Sequence, residues 1–260
     1  MALQVIMDVR RGEQQLLQGH RNNVNCLARS HNGSYLASGC VGLDQHAVFV
    51  WSVISGKPVV RLASPHGSHG VEAVAWVAAD RWLVTVGGAG AGQTAKLWDW
   101  RDGPESPLAS TPLRAGKVHT QVSVHPCKPE QFLVSSKTAL TFLTFDTVTS
   151  ELASHNPGSV EKEFGKSCGH LTQSVFLRGS RQVLSGTTRG NLVVWLAGGE
   201  PGLPRWRPAR LLRLQVSGQQ GLARHSYTKH PHLPPTFQNS QPRNAQTSKY
   251  TTNNITELPS

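Results

Sequence analysis

Val48-Phe49-Val50-Trp51, Ala95-Lys96-Leu97-Trp98, Thr141-Phe142-Leu143-Thr144-Phe145 and Leu192-Val193-Val194-Trp195 are four apolar runs, each closing on a large aromatic side chain. The closing aromatics Trp51, Trp98, Phe145 and Trp195 stand 47, 47 and 50 residues apart. A recurrence of that length marks a repeat architecture, in which one supersecondary unit cannot bury its own faces and must stack on its neighbours. Each run is preceded by the same order of elements. In the first unit Gly19-His20 is followed by a strand pattern over residues 24–28, a turn at His31-Asn32-Gly33 and a second strand over 35–39. Asn and Gly tolerate the positive φ such a turn requires. After Trp51, residues 57–62 make a fourth, outer strand, where Pro58 is tolerated because an edge position needs no ladder donor.

The second unit runs through residues 71–76 and 82–87 to Trp98-Asp99. The third runs through 119–125 and 132–136 to Phe145, and the fourth through 172–177 and 183–186 to Trp195. Four short strands per unit, evenly spaced, predict an all-β chain of WD40-type β-propeller blades. A helical solenoid would need apolar residues at 3.6 spacing over ten or more positions, and no stretch has them. Upstream, residues 5–9 and 14–17 read as the last two strands of an earlier blade, with Met7 in the position of the aromatic, 44 residues before Trp51. Residues 210–214 read as the outer strand of the fourth blade. The expected organisation is blades over residues 1–216, about four full and one partial, forming an incomplete propeller with bare end faces. A disordered tail is expected over 217–260, where Pro, Ser, Thr, Asn, Gln and His leave too few apolar residues to offset the entropy of ordering.

His20, Ser38, Asp44 and Trp51 can converge within the first blade. A Ser, a His and an Asp suggest a hydrolase, but no Gly-x-Ser-x-Gly elbow surrounds Ser38. The better reading is a buried polar network that locks the blade, because buried polar groups must be paired. Only blade one shows the full set. Blade two offers Thr85 and Trp98 with Gln93 near the Asp position, blade three has Phe145 for Trp, and blade four has Ser185 and Trp195 with Arg189 nearby. Such uneven networks point to a scaffold and away from a repeated active site. The run Gly87-Gly88-Ala89-Gly90-Ala91-Gly92 lacks the Lys-Ser/Thr and the helix of a phosphate loop, and reads as an inter-strand connection.

Lys and Arg number 26 against 15 Asp and Glu, a net charge of +11 with His neutral. That balance favours acidic partners. The charge forms no dense run and no basic stretch interleaves with aromatics, so no specific nucleic-acid surface is expected. Cys26, Cys40, Cys127 and Cys168 include no CxxC pair, and read as reduced thiols rather than a zinc or redox site. His225, His230 and His232 lie close together in the tail without a supporting shell, a poor metal site. No cofactor and no metal are expected. The first eight residues are interrupted too soon for a signal peptide, and no run approaches the ~20 apolar residues of a membrane span.

Residues 17–27 (Leu17 to Leu27), 132–138 (Phe132 to Thr138), 169–176 (Gly169 to Phe176) and 182–195 (Gln182 to Trp195) carry a resemblance. Over roughly residues 3–215 the sequence resembles WD-repeat proteins of cilia and flagella, in particular the family of cilia- and flagella-associated protein 251. Gly-His and Trp-Asp are generic to WD repeats; the Ser-Lys-Thr and Thr-Gln-Ser-Val-Phe stretches are more particular. The resemblance implies a structural and interaction scaffold in the cytoskeleton of the axoneme, at a radial spoke, with spoke or calmodulin-associated subunits and possible microtubule contacts as partners. It also implies further blades, an acidic N-terminal extension and a calcium-binding C-terminal region, which this sequence does not show; the tail reads as an isoform end or a shifted frame. Residues 71–74 and Leu97-Trp98-Asp99-Trp100-Arg101 suggest a second family, the echinoderm-type microtubule-associated WD proteins. A general WD40 adaptor of a nuclear or ubiquitin-ligase complex is the other alternative, since a fold alone does not set function.

Overall fold

The structure, a computed structural model, describes residues 4–8, 10–41, 47–63, 65–89, 92–165, 167–199 and 204–213. All of them lie in the first of two compact units, Met1–Thr228. Asp44, Gly90, Ala91, the tail from residue 217 and its three histidines fall outside the described residues.

A two-stranded antiparallel sheet comes first, β1 (Gln4–Asp8) and β2 (Glu13–Leu17). Four four-stranded antiparallel sheets follow, each a meander in chain order. The first holds β3 (Val24–Arg29), β4 (Tyr35–Cys40), β5 (Ala47–Ser52) and β6 (Pro58–Ala63). The second holds β7 (Val71–Val77), β8 (Trp82–Gly87), β9 (Thr94–Trp98) and β10 (Ala109–Pro112). The third holds β11 (His119–Val124), β12 (Gln131–Ser136), β13 (Leu140–Asp146) and β14 (Glu151–His155). The fourth holds β15 (Leu171–Phe176), β16 (Gln182–Thr187), β17 (Asn191–Gly198) and β18 (Arg205–Arg213). Among the described residues helix is confined to one turn of 3₁₀ helix at Gly67–His69 and the five-residue α1 (Val160–Phe164) before the fourth sheet.

Burial follows strand position. β8 and β12, second in their sheets, are buried at every residue, as is β5 up to Trp51. Such strands carry Val, Phe, Leu and Trp without a polar face, because a neighbouring sheet covers each side. The outer strands alternate exposed and buried residues, as in β6 and β10. Three of the four outer strands contain proline, at Pro58, Pro112 and Pro208. Pro58 pairs with Trp51 and Pro208 with Trp195, each beside a register shift that bends the outer strand. Each four-stranded sheet also has a register shift in its first strand, at Val24/Cys26, Val71/Ala73, His119/Gln121 and Leu171/Ser174. Those first strands lie next to one another from sheet to sheet, so the shifts sit where successive sheets converge.

Four apolar clusters hold the sheets face to face. Leu17, Phe49 and Trp51 join the two-stranded sheet to the first, with Ile6 and Leu36 packed on them. Val48, Val50 and Leu62 meet Val71, Trp76 and Leu83 between the first and second. Val84, Val86 and Leu97 meet Phe132, Val134 and Leu143 between the second and third. Leu133, Leu140 and Phe142 meet Val183, Val193 and Trp195 between the third and fourth, and α1 adds Val160. Among the described residues no such cluster joins the fourth sheet to β1 and β2. The fold class read from the repeat stands: propeller blades, four complete and one partial.

Candidate functional site

The polar chemistry of this chain lies inside and between the sheets, not in a cleft. In the first sheet Ser38, wholly buried, accepts the Trp51 indole N–H at 2.7 Å. The same oxygen lies 2.7 Å from His20 Nε2. The Ser38 hydroxyl thus joins the two rings. Burial holds the His20 imidazole down, to about 4, outweighing a backbone hydrogen bond at Ser38 that raises it. The ring also meets Phe49 edge-on, centroids 4.7 Å apart. Nδ1 of His20 has no partner among the described residues. The His20 residue borders a cavity of about 270 Å³ lined also by Gly19, Arg21, Ala47, Phe49 and Arg61.

The second sheet builds the same device from residues the sequence reading did not connect. Thr85 accepts the Trp98 indole N–H at 2.9 Å and lies 2.8 Å from His66 Nε2. The other ring nitrogen of His66 lies 3.0 Å from Thr94 Oγ1, so blade two has a buried network of its own. Burial, then the nearby Lys96 ammonium, lowers the His66 pKa to about 4. A signal was available: Trp98 follows Thr85 by 13 residues as Trp51 follows Ser38, and His66 precedes Thr85 by 19 where His20 precedes Ser38 by 18.

Gln93 is no degenerate Asp. Its amide N–H₂ donates to the carbonyls of Gly87 and His119, and its oxygen accepts the His119 backbone N–H at 2.7 Å. It ties the second sheet to the third. In the third sheet Val134 faces Thr141 across the ladder, so a methyl group occupies the hydroxyl slot. Thr141 Oγ1 lies 3.3 Å from His119 Nε2 and donates to Asn156 at 2.7 Å. Phe145 needs no acceptor and packs edge-on to Trp82 at 5.0 Å. In the fourth sheet Trp195 donates to Ser185 at 2.9 Å, and Ser174, its ladder partner, lies 2.6 Å from the same hydroxyl, the contact that a His makes in the first two sheets. Arg189 is exposed and donates to the Ser167 carbonyl.

A further clamp spans the first and second sheets. The Asp80 carboxylate, on a residue only 4% exposed, accepts the backbone N–H of His31 at 2.6 Å and of Asn32 at 3.0 Å. His31 Nδ1 lies 3.0 Å from the same carboxylate. Burial opposes ionisation of Asp80, but these hydrogen bonds together hold its pKa below the ordinary value. Ala78, Ala79 and Asp80 have φ of 53°, 50° and 70°, a left-handed turn built without glycine. Trp76 donates to the Ala28 carbonyl and Trp100 to the Asp80 carbonyl, each at 2.9 Å. Arg101 stacks over Trp100 at 4.4 Å.

No disulfide links the four cysteines, and burial pushes the Cys26 thiol up to about 12. Among the described residues no group of His, Cys, Asp and Glu could hold a metal ion. Gly88 and Ala89 start the β8–β9 connection.

Four-stranded meanders stacked face to face, three of the four pinned by a hydroxyl that accepts the indole N–H of the third strand, define a WD-type β-propeller protein. Solved structures agree: the Cps50 (Swd1) β-propeller domain of Myceliophteria thermophila superposes with a TM-score of 0.56 at 17% identity, over 83% of this chain and 67% of that one. U3-55K gives 0.53 at 15% identity, over 77% of this chain and 61% of the other. The profile of the CFAP251 N-terminal domain matches residues 2–215, and the chain belongs to that family. Among curated relatives, cilia- and flagella-associated protein 251 of Pongo abelii is 32% identical over 82% of this chain and 19% of its own length. Its counterpart in Chlamydomonas reinhardtii is 29% identical over 74% of this chain and 25% of its own length. Human cilia- and flagella-associated protein 52 is 31% identical over 50% of this chain and 21% of its own length. The chain thus spans 19–25% of the length of these three relatives.

Proposed function

We propose that this chain is a non-enzymatic binding scaffold of the ciliary and flagellar axoneme, and that it works within a radial-spoke complex. The observation that carries the reading is the family match over residues 2–215. The site chemistry supports it. Ser38 is wholly buried and already bonded to two rings, so it presents no nucleophile, and His20 sits as a neutral structural ring. The role we assign to His20, Ser38, Asp44 and Trp51 is to lock the first blade, with Trp98, Phe145 and Trp195 marking the others. Partners are other proteins, recognised on the outer surfaces of the blades, and the +11 charge favours acidic ones, including the microtubule wall. We assign the blades to residues 1–216 and set residues 217–260 apart from them.

The test is to express a tagged full-length chain in a flagellated cell, demembranate the flagella, and ask whether it sediments with axonemes. We expect retention in the axonemal pellet and loss of that retention in a strain lacking radial spokes. A chain found wholly in the soluble fraction overturns the ciliary reading. Retention that is indifferent to the spokes overturns the spoke assignment.

A further inference from the structure

A cavity of about 260 Å³ opens between the third and fourth sheets, where β11 turns into β12 and β15 into β16. Gln131 lines it. This side chain shares the parity of Leu133, which packs on Val183 and Val193, so it faces the fourth sheet. Gln131 is only 6% exposed, yet its amide has no hydrogen bond among the described residues. A buried amide that faces a cavity must find its partners in what fills the cavity, water or ligand.

Two more donor side chains line the same space. His125 Nδ1 accepts the backbone N–H groups of Cys127 and Lys128, each at 3.0 Å. The ring proton is therefore on Nε2, which has no partner among the described residues. Burial, then the Lys128 ammonium, lowers the His125 pKa against the opposing charge of Glu130, so the ring is neutral. Trp51, Trp76, Trp98, Trp100 and Trp195 all donate their indole N–H groups within the fold. Trp206, like Trp82, has no acceptor among the described residues, although stacking on Phe142 at 4.3 Å holds its ring in place. Two cations complete the lining. They are Lys128 and the exposed Arg181, whose guanidinium donates to the Gly199 carbonyl at 3.2 Å. Among the described residues no carboxylate lines the cavity; Glu130, in the adjacent turn, stands outside it.

This set of groups selects the ligand. Two cations and two neutral N–H donors, with no acid among them, call for an anion. The Gln131 amide adds an acceptor beside its donor. A phosphate would leave that acceptor unmet, whereas a peptide group brings the N–H that meets it. We propose that this cavity binds an acidic segment of a partner protein, with a Glu or Asp carboxylate held by Lys128 and Arg181 and a neighbouring peptide group on the Gln131 amide. Ala197, Pro204 and Trp206 give the rest of the segment an apolar wall. The site names the chemistry of one partner and rests on the scaffold reading above.

The probe is a fluorescein-labelled peptide, Gly-Ser-Glu-Leu-Glu-Glu-Ser-Gly, titrated into the full chain under reducing conditions and followed by anisotropy. We expect saturable binding, and a loss of affinity of about tenfold or more in Arg181→Gln and in Gln131→Leu. Gln131→Leu removes no charge and strands no partner, so it should keep or raise the parent melting temperature. Arg181→Gln, on an exposed residue, carries the test if that melt falls. Arg207→Gln alters an exposed arginine that does not line the cavity, and should bind like the parent. Cys127 is an exposed thiol that does line it, so the peptide should slow its alkylation by iodoacetamide. No saturable binding, equal binding of the peptide with Gln in place of each Glu, equal losses in Arg181→Gln and Arg207→Gln, or unchanged alkylation of Cys127 overturns the proposal. Displacement by inorganic phosphate or single-stranded DNA at lower concentrations than by unlabelled peptide would give the cavity to a phosphate ligand, and also overturn it. A chain that binds the peptide but is absent from axonemes would keep this site and remove the ciliary assignment. Axonemal retention without peptide binding would do the reverse.

Discussion

Replacing Asp80 with Ala removes the clamp between the first and second sheets without touching the hydrophobic clusters. Three hydrogen bonds end on its carboxylate, from the His31 and Asn32 backbone N–H groups and the His31 ring. Hydrogen bonds to a charged group contribute about 1.5–3 kcal/mol each when well buried. His31 and Asn32 are exposed, so water replaces much of what they lose. The net cost of Asp80→Ala is therefore about 2–3 kcal/mol. For a folded region of this size each kcal/mol moves the midpoint by about 2–4 °C, so the melt should fall by about 4–12 °C. Asp80→Asn keeps one acceptor oxygen and should lose about half as much. The pH dependence gives a second reading. The Asp80 pKa is lowered by folding. Its stabilisation is complete above the ordinary carboxylate value and disappears as pH falls through the lowered folded value. Parent and Asp80→Ala melts, followed by circular dichroism, should thus differ at pH 7 and converge in acid. A difference under about 1 °C at pH 7, or one that persists unchanged when the carboxylate is protonated, would refute the clamp.

Ser38→Ala should destabilise the chain by about 1–3 kcal/mol, because the Trp51 N–H and the His20 ring are left buried without their common partner; urea melts measure it, and a neutral result would remove Ser38 from the structural network. Folding lowers the His20 and His66 pKa values to about 4, so the unfolded chain binds more protons than the folded one between the ordinary value of 6.5 and 4. Stability from these two rings is intact above that window and is lost as pH falls through it, by roughly 1–3 kcal/mol for each ring, and His20→Gln paired with His66→Gln should flatten the decline in a pH series of melts. Gly88→Ala should block folding of the second sheet, since a Cβ there would lie 1.9 Å from the His69 carbonyl oxygen, a backbone atom that cannot swing away; a soluble variant with the parent melting temperature would contradict the packing of that loop.

Much of this architecture is legible in the chain itself. The runs ending at Trp51, Trp98, Phe145 and Trp195 announce the third strands because a strand covered on both faces must be apolar at every position. Ser38 and Trp51 can be paired from sequence because both lie in one sheet and recur at a constant spacing in the next. Residues 71–76, 82–87 and 132–136 mark strands to within a residue or so of their observed bounds for the same reason.

What the tertiary structure alone decides is which faces meet. In a strand, parity selects the face, and one residue of register moves every side chain to the other side. That is why Val134, and not Ser135, stands opposite Thr141, and why the third blade builds its network on Thr141 and Asn156. Gln93 looked like a failed Asp because its partners, the His119 backbone groups, lie 26 residues on, in another sheet. Asp80 bonds a turn 48 and 49 residues earlier, held there by a left-handed turn in which Ala78 and Ala79 adopt a conformation alanine rarely takes. Leu27 and Val74 are alike as apolar strand residues in sequence. Only the presence of β3 and β4 over one, and of nothing described over the other, makes Val74 core and leaves Leu27 exposed.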